Sequence, residues 1–203
     1  DDIARILDRL VAAGIENVLA LRGDPPKGEQ QFIAAEGGFA HASDLVAFIK
    51  SGWDLGVAGA CYPEGHVEAT SLDVDLAHLA EKVSAGADFL VTQLFFDNSA
   101  YFDFVARARK LGIAVPIVPG IMPITNLSQV KRFTAMCGAT IPAELLARLE
   151  ATGGEAEAVR AIGVAHATAQ CRELLDRGAP GVHFYTLNRS PATVQILDAL
   201  RGA

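Results

Sequence analysis

Short apolar runs without polar alternation recur along the chain, between stretches in which apolar residues follow a helical period. The run Val18–Leu21 lacks the alternation of a half-exposed strand and is typical of a strand covered on both faces. The pattern predicts five such strands, at Asn17–Leu21, Asp54–Tyr62, Asp88–Gln93, Pro116–Pro119 and Gly181–Tyr185. Each is separated from the next by at least one predicted helix, which favours a parallel sheet with crossover connections.

Apolar positions at helical spacing predict eight helices between and around these strands. They are Ile3–Ala13, a helix capped by Ser43 and ending at Lys50, one opening at Asp73 or Asp75 and ending at Ala85, Ala100–Leu111 with Asn98 or Ser99 as its cap, Asn126–Met136, Pro142–Ala151, Glu155–Arg177 and Pro191–Leu200. The stretch Asp24–His41 fits no element and is long for a loop, which is typical of a functional segment.

Two α/β architectures fit this order of elements: an open doubly wound sheet and a (β/α)8 barrel of the TIM type. The sequence has no G-x-G-x-x-G turn, which a dinucleotide-binding open sheet needs. Polar residues follow at least four of the five predicted strands, and this favours the rim of a barrel. Since eight strands close a barrel, we expect residues 1–203 to form one incomplete barrel domain, its carboxyl-terminal portion, with about three βα units preceding Asp1.

Composition excludes several classes of function. The 203 residues are 51% apolar and carry a formal net charge of −7, which argues against a nucleic-acid partner held through phosphates. No apolar run approaches the roughly 20 residues of a membrane span, and no signal peptide is visible. The cysteines are Cys61, Cys137 and Cys171, with no metal-ligand or C-x-x-C spacing, and we expect buried thiols in a reducing cytoplasm and no metal site.

Charged and polar residues follow the predicted strands. Arg22-Gly23-Asp24 is either a surface ion pair flanking a turn or a ligand site, in which Gly23 admits a flat ligand and Arg22 offers donors to phosphate. Tyr62 and His66 follow the second strand, and either packing or a ligand role fits them equally well.

The third and fifth strands end in more specific residues. The amide of Gln93 follows three buried residues and suits the edge of a heterocycle such as a pterin or a pyrimidine. Tyr185 and Arg189 end the last strand, where arginine suits a substrate carboxylate. Phe95 and Phe96 are better explained as core, and from their local sequence Asp75 and Lys82 are ordinary solvated helix residues.

Six segments, taken together, resemble one family, methylenetetrahydrofolate reductase, and cover nearly the whole chain in the family's order. They are A-L-R-G-D at 20–24, A-S-D-L at 42–45, Y-P-E-G-H at 62–66, T-Q-L-F-F-D at 92–97, V-P-G-I-M-P-I at 118–124 and H-F-Y-T-L-N-R at 183–189. The resemblance implies a TIM-type barrel that holds FAD non-covalently at the carboxyl ends of its strands. It also implies a ping-pong reaction, in which NAD(P)H reduces FAD and 5,10-methylenetetrahydrofolate then takes the hydride.

The family pattern assigns roles to individual positions. Flavin-contacting positions are Arg22, Gly23, Asp24, Ala42, Tyr62, His66, Asp75 and Lys82, which reverses the solvated interpretation of Asp75 and Lys82. Gln93 and Arg189 match folate-contacting positions, Tyr185 lies nearby, and Asp24 matches the catalytic aspartate close to both flavin and pterin. The expected partners are NAD(P)H, a reduced folate and further copies of the chain.

The chain also departs from the family pattern. The family's general acid is a glutamate on the first barrel strand, and neither that strand nor the next two, which carry further flavin contacts, occurs here; Leu127 replaces a phenylalanine found in some members. Two hypotheses stay open: most of a reductase, or a catalytically silent fragment unable to hold flavin. A barrel aldolase is disfavoured, because Lys27, Lys50, Lys82, Lys110 and Lys131 all lie on predicted loops or helices.

Overall fold

Helices alternate with short parallel strands in the computed structural model, which describes residues 2–23 and 32–202. The helices are α1 (Asp2–Ala12), α2 (Ala42–Gly52), α3 (Leu72–Ser84), α4 (Asn98–Lys110), α5 (Leu127–Cys137), α6 (Ala143–Glu150), α7 (Ala156–Asp176) and α8 (Pro191–Arg201). The strands are β1 (Asn17–Ala20), β2 (Gly56–Cys61), β3 (Phe89–Thr92), β4 (Ile117–Val118), β5 (Gly120–Ile121) and β6 (His183–Phe184). The α/β class predicted from the sequence is confirmed.

Parallel pairing joins β1, β2, β3 and β4 in that order, and a second parallel pair joins β5 to β6. The register matches Val18 with Val57, Ala60 with Val91, and Leu90 with Ile117. Neighbouring strands are therefore consecutive in the sequence. A sheet of this order, with a helix between most successive strands, is consistent with part of a (β/α)8 barrel.

The strand predicted at Pro116–Pro119 contains only β4, and a further strand, β5, follows Pro119 outside the predicted segment. Proline has no backbone N–H, so the ladder with β3 cannot continue through it. Beyond it the Gly120 N–H donates to the Thr92 hydroxyl at 2.8 Å, and β5 pairs with β6 instead. The segment 117–121 thus borders β3 on one side and β6 on the other.

Seven of the eight helix starts differ from the prediction by one to a few residues, and in α3 and α4 the reason is a different capping side chain. The Asp44 carboxylate accepts the His41 N–H at 3.0 Å, so α2 begins at Ala42 and Ser43 lies inside it. Ser71 caps α3 and Asp97 caps α4, through their side-chain oxygens. Pro142, predicted at a first helical position, is the N-cap of α6.

Three hydrophobic clusters stabilise this arrangement. The largest packs Phe95, Phe104 and Leu174 between the sheet and helices α3, α4, α7 and α8. A second gathers α5, α6 and α7 around Leu149 and Phe96, and a third packs α1 and α2 on β1 and β2 around Val46. Phe95 and Phe96 are core residues, as predicted. Among the described residues, no helix is both long and apolar enough to cross a bilayer.

Candidate functional site

A cavity of about 510 Å³ lies where β1, β2, β3 and β6 end, on the carboxyl side of the sheet. We call it the first cavity. Its wall includes nine of the residues predicted from the sequence: Arg22, Gly23, Ala42, Tyr62, His66, Asp75, Lys82, Gln93 and Tyr185. Polar groups from successive strands therefore converge on one space, as the barrel-rim interpretation requires.

Among the described residues, one predicted site residue, Arg189, is not in this wall. The predicted Asp24 lies outside the described residues. Arg189 is exposed, and it follows a turn in which Leu187 and Asn188 have φ of 49° and 60°. The Arg189 N–H donates to Thr186 O at 2.9 Å, and the side chain lines neither of the cavities described here.

Arg22 forms a two-pronged ion pair with Glu68, whose carboxylate oxygens both lie 2.9 Å from the guanidinium nitrogens. The guanidinium also lies 4.7 Å from the centre of the Phe32 ring. The hydrogen bond from Arg22 holds the pKa of Glu68 below its usual value. A guanidinium in this planar geometry can bind a carboxylate or a phosphate with equal ease.

The N-terminus of α2 faces the same cavity, with His41, Ala42 and Ser43 in the wall. The first N–H groups of a helix are unpaired within it, and with the helix dipole they favour an anion. Gly23, on the same wall, has φ of 88° and open space where a Cβ would project. This part of the cavity therefore suits an anionic ligand that lies close to the backbone.

Beyond β2, Tyr62 and His66 pack edge to face with ring centres 4.5 Å apart. The His66 N–H donates to the Asp75 carboxylate at 3.2 Å, which ties this loop to α3. Asp75 is half-buried, and burial raises the pKa of its carboxyl group.

Lys82 extends from α3 across the end of β2 and donates to Ala60 O at 2.6 Å. Its chain packs against Gly59, where a Cβ would come within 2.6 Å of the lysine Cδ. Burial lowers the pKa of the Lys82 ammonium. Asp75 and Lys82 thus belong to the cavity wall, as the family resemblance implies and their local sequence does not.

Hydrogen bonds restrain both the backbone and the side chain of Gln93. Its N–H donates to Cys61 O at 2.7 Å, and its side-chain oxygen Oε1 accepts the Leu94 N–H at 2.9 Å. Since a backbone N–H can only donate, the oxygen of the amide must be the atom turned towards it. Among the described residues the Nε2 donor has no hydrogen-bond partner, and Gln93 borders the cavity.

Tyr185 lines the cavity, and its hydroxyl is engaged in a hydrogen bond within the protein. The hydroxyl donates to Thr92 O at 2.7 Å and so fastens the end of β3 to the end of β6. Burial raises the pKa of Tyr185 to about 12, which keeps the phenol protonated at neutral pH.

A second cavity of about 530 Å³ adjoins the first and is largely apolar. Its wall combines the loop after β2 with the inner side of α5, through Phe133, Met136 and Cys137. Four residues, His66, Glu68, Gln93 and Tyr185, belong to the walls of both cavities. Glu64 braces the loop after β2 against the end of α5, because both of its carboxylate oxygens accept the Thr140 N–H, at 3.0 and 3.2 Å.

Sequence reasoning missed Glu68 and the whole second cavity. Glu68 lies two residues after His66, but its partner Arg22 is 46 positions away. No local sequence pattern predicts an ion pair over that distance. The α5 residues carry only the apolar period of an ordinary helix. Cys61 and Cys171 are buried and Cys137 is partly so, as expected of structural thiols; within the described residues no His, Cys, Asp and Glu group is placed to hold a metal.

Comparison with known proteins gives a consistent result. A family profile described as methylenetetrahydrofolate reductase matches residues 1–201. The chain is 45% identical over 97% of its length to methylenetetrahydrofolate reductase (NADH) 1 of Arabidopsis thaliana, of which it covers 35%. It is 38% identical over 92% of its length to 5,10-methylenetetrahydrofolate reductase of Escherichia coli (strain K12), of which it covers 61%. The chain thus spans a third to three fifths of these two relatives.

A probable methylenetetrahydrofolate reductase (NADPH) of Caenorhabditis elegans is 37% identical over 98% of the chain. Among solved structures, an uncharacterised protein from Clostridium thermocellum that binds two copies of 5-methyl-5,6,7,8-tetrahydrofolic acid matches with a TM-score of 0.57. The two sequences are 17% identical, and the structural match covers 88% of this chain and 66% of the other chain. That similarity supports the fold alone.

Proposed function

Because the chain belongs to the methylenetetrahydrofolate reductase family, we propose that it carries the site where 5,10-methylenetetrahydrofolate is reduced to 5-methyltetrahydrofolate through FAD, with NAD(P)H as the hydride source. The observation that carries the proposal is the convergence of residues from the ends of β1, β2, β3 and β6 on the first cavity. Residues from distant segments of the chain meet there, which supports the roles proposed for them below.

The lining of the first cavity supports FAD as the proposed cofactor. Its volume of about 510 Å³ lies within the range of cofactor pockets, and its walls mix apolar surface with a few charged groups. Arg22 and the N-terminus of α2 would hold the anionic part of the cofactor. Tyr62, His66, Asp75 and Lys82 would hold the rest. When bound, FAD supplies the hydride-transfer chemistry that the side chains themselves lack.

Gln93 is the proposed folate contact. Its Oε1 is already turned to the Leu94 N–H, so the Nε2 group would donate to an acceptor on the pterin. The Tyr185 ring would pack beside the same ligand, since its hydroxyl is committed to Thr92 O. Asp24, outside the described residues, would place negative charge near the positive charge that develops on the pterin. Arg189 remains a prediction for the substrate carboxylate.

We also propose that residues 1–203 form one domain. Supporting this, the largest hydrophobic cluster joins Cys61 of β2 with Leu174 of α7 and Ile196 of α8. Elements from distant parts of the chain therefore share one core.

The proposal is tested with the purified chain, FAD and the two half-reactions. We expect the oxidised-flavin absorption band to remain with the protein after gel filtration, to bleach with NADH or NADPH, and to return with 5,10-methylenetetrahydrofolate. Lys82→Met should weaken FAD retention, whereas the control Lys110→Met, at the end of α4, should not. A folded chain that retains no flavin would favour the silent-fragment hypothesis instead.

A further inference from the structure

The segment that follows β3 carries Gln93 into the site and then passes beneath α7. Leu94, Phe95, Phe96 and Asn98 are all buried. The segment has left the sheet at this point, so its carbonyl groups have no strand to pair with. Buried carbonyls need partners, and side chains must supply them.

Two side chains of α7 do so. Gln170, which is 5% exposed, donates from Nε2 to Phe95 O at 3.0 Å. The Nε2 atom of His166 lies 3.0 Å from Phe96 O. Because a carbonyl oxygen can only accept, the proton of the imidazole must be on Nε2. His166 and Gln170 are four residues apart and therefore lie on one face of the helix.

Asn98, at the start of α4, forms a further link between the segment after β3 and α7. Its Nδ2 donates to Gln170 O at 3.1 Å and to the Glu173 carboxylate at 2.8 Å. At the other end, the Gln93 N–H is fixed to β2 through Cys61 O. The bend that contains Gln93 is thus restrained from β2 on one side and from α7 on the other.

We propose that His166 and Gln170 are positioning residues, which fix the bend after β3 so that the Gln93 amide presents its donor at the wall shared by the first and second cavities. Neither side chain lines the first or the second cavity, so both act through the backbone. The contact that reports their action is the bond from Leu94 N–H to Gln93 Oε1, since it forms only when residues 93–95 keep this conformation. The inference rests on the proposed role of Gln93 in folate binding.

A purely structural role gives a different expectation. If the two side chains only satisfy buried carbonyls, their removal lowers the free energy of unfolding but leaves the folded bend and its ligand affinity unchanged. Positioning residues alter the bend in molecules that remain folded. Two measurements separate these cases: hydrogen exchange at the Leu94 amide, and the affinity for 5-methyltetrahydrofolate relative to the affinity for FAD.

The test compares Gln170→Met, His166→Met and His166→Gln in the full chain. Methionine has a similar length and no donor, whereas glutamine at 166 can return an N–H to Phe96 O. Thr168→Val is the matched control, because the Thr168 hydroxyl bonds only to Val164 O within α7. The readouts are amide exchange at Leu94, the Kd of FAD, and the Kd of 5-methyltetrahydrofolate for the FAD-loaded protein.

We expect both methionine variants to speed Leu94 exchange and to weaken 5-methyltetrahydrofolate binding about five- to tenfold, with the Kd of FAD changed less than about twofold. His166→Gln and Thr168→Val should stay close to the parent chain. Unchanged Leu94 exchange in a less stable Gln170→Met protein would overturn the proposal. Failure of the parent chain to bind FAD or the folate would instead count against the proposed function, since the exchange result does not depend on either ligand.

Discussion

At the scale of single residues, the pairing of Arg22 with Glu68 has a measurable consequence. The carboxylate holds the guanidinium in the geometry that a ligand phosphate would need, so the two compete. We therefore expect Glu68→Gln to tighten FAD binding about two- to fivefold, the range of a largely exposed ion pair. Fluorescence quenching of added FAD measures the change.

Glu64→Gln is the control for Glu68. That carboxylate belongs to the same loop but accepts the Thr140 N–H on the far side, away from Arg22. Its substitution should leave FAD affinity unchanged or slightly weaker. Equal tightening by both variants would mean that loop charge in general, and not competition for Arg22, governs the affinity.

Gln93→Leu should weaken the binding of 5-methyltetrahydrofolate by about 1–3 kcal/mol while FAD is retained. The reason is that the amide donor at the cavity wall would be lost, whereas no flavin contact is assigned to this residue. Gln195→Leu, an exposed substitution on α8, serves as the control. Isothermal titration with each ligand gives both affinities. Loss of FAD affinity with unchanged folate affinity would mean that Gln93 contacts the flavin and not the folate.

Asp24→Asn should slow the folate half-reaction more than the reduction of FAD by NAD(P)H. A carboxylate near the pterin stabilises positive charge that develops only in the second half-reaction, and an amide does not. Stopped-flow absorbance follows the two steps separately. Equal losses in both steps would refute a role specific to the folate.

At the scale of elements, α7 comes closest to the loop after β5 at Gly163. A Cβ built there would lie 1.8 Å from Ile124 O, a backbone atom that cannot move aside alone. We expect Gly163→Ala to lower the free energy of unfolding by about 1–3 kcal/mol, although alanine is the better helix former. Gly52→Ala in α2, where nothing lies within 4 Å, should be neutral or stabilising. Urea unfolding measures both.

The elements show what local sequence predicts well and what it does not. Apolar periodicity placed all eight helices and five of the six strands, because burial of one face or both faces leaves a repeating pattern, but it missed β5. It could not place the break at Pro119, since that depends on which neighbour each half of the strand pairs with. It also missed the caps at His41, Ser71 and Asp97, because several adjacent polar residues could each have capped the helix.

At the scale of the whole molecule, the acid side of the stability curve should depend on His166. Burial lowers the pKa of its imidazole, assisted by Arg148 and opposed by the bond to Phe96 O and by Asp97. Below its ordinary pKa of about 6.5, the unfolded chain takes up a proton that the folded chain resists. Stability is therefore lost as the pH falls from about 7 to 5.

His166→Gln removes this titration, so the free energy of unfolding should fall less steeply over that pH interval than it does in the parent chain. Urea unfolding at several pH values measures the slope. Thr168→Val changes the same helix without removing a titrating group and should keep the parent's slope. Parallel curves for His166→Gln and the parent would show that His166 does not govern the acid loss.

Across the whole molecule, the residues that follow strands directly are the ones whose place in the wall of the first cavity could be predicted from the sequence. Arg22, Tyr62, Gln93 and Tyr185 each end a strand, and parallel strands bring their carboxyl ends together. Asp75 and Lys82 lie on a helix, and only the family resemblance pointed to them. The α7 side chains beneath Gln93 gave no signal, because contacts across about 75 positions depend on the folded topology.

The wall shared by the two cavities, formed by His66, Glu68, Gln93 and Tyr185, has a thermodynamic consequence. Molecules occupying both spaces at once would touch the same four side chains, so their affinities cannot be independent. Thermodynamic linkage then requires that, if the first ligand changes the affinity for the second by some factor, the second changes the affinity for the first by the same factor. Coupling between two different ligands would then arise from the wall that the cavities share, and it would require no domain movement.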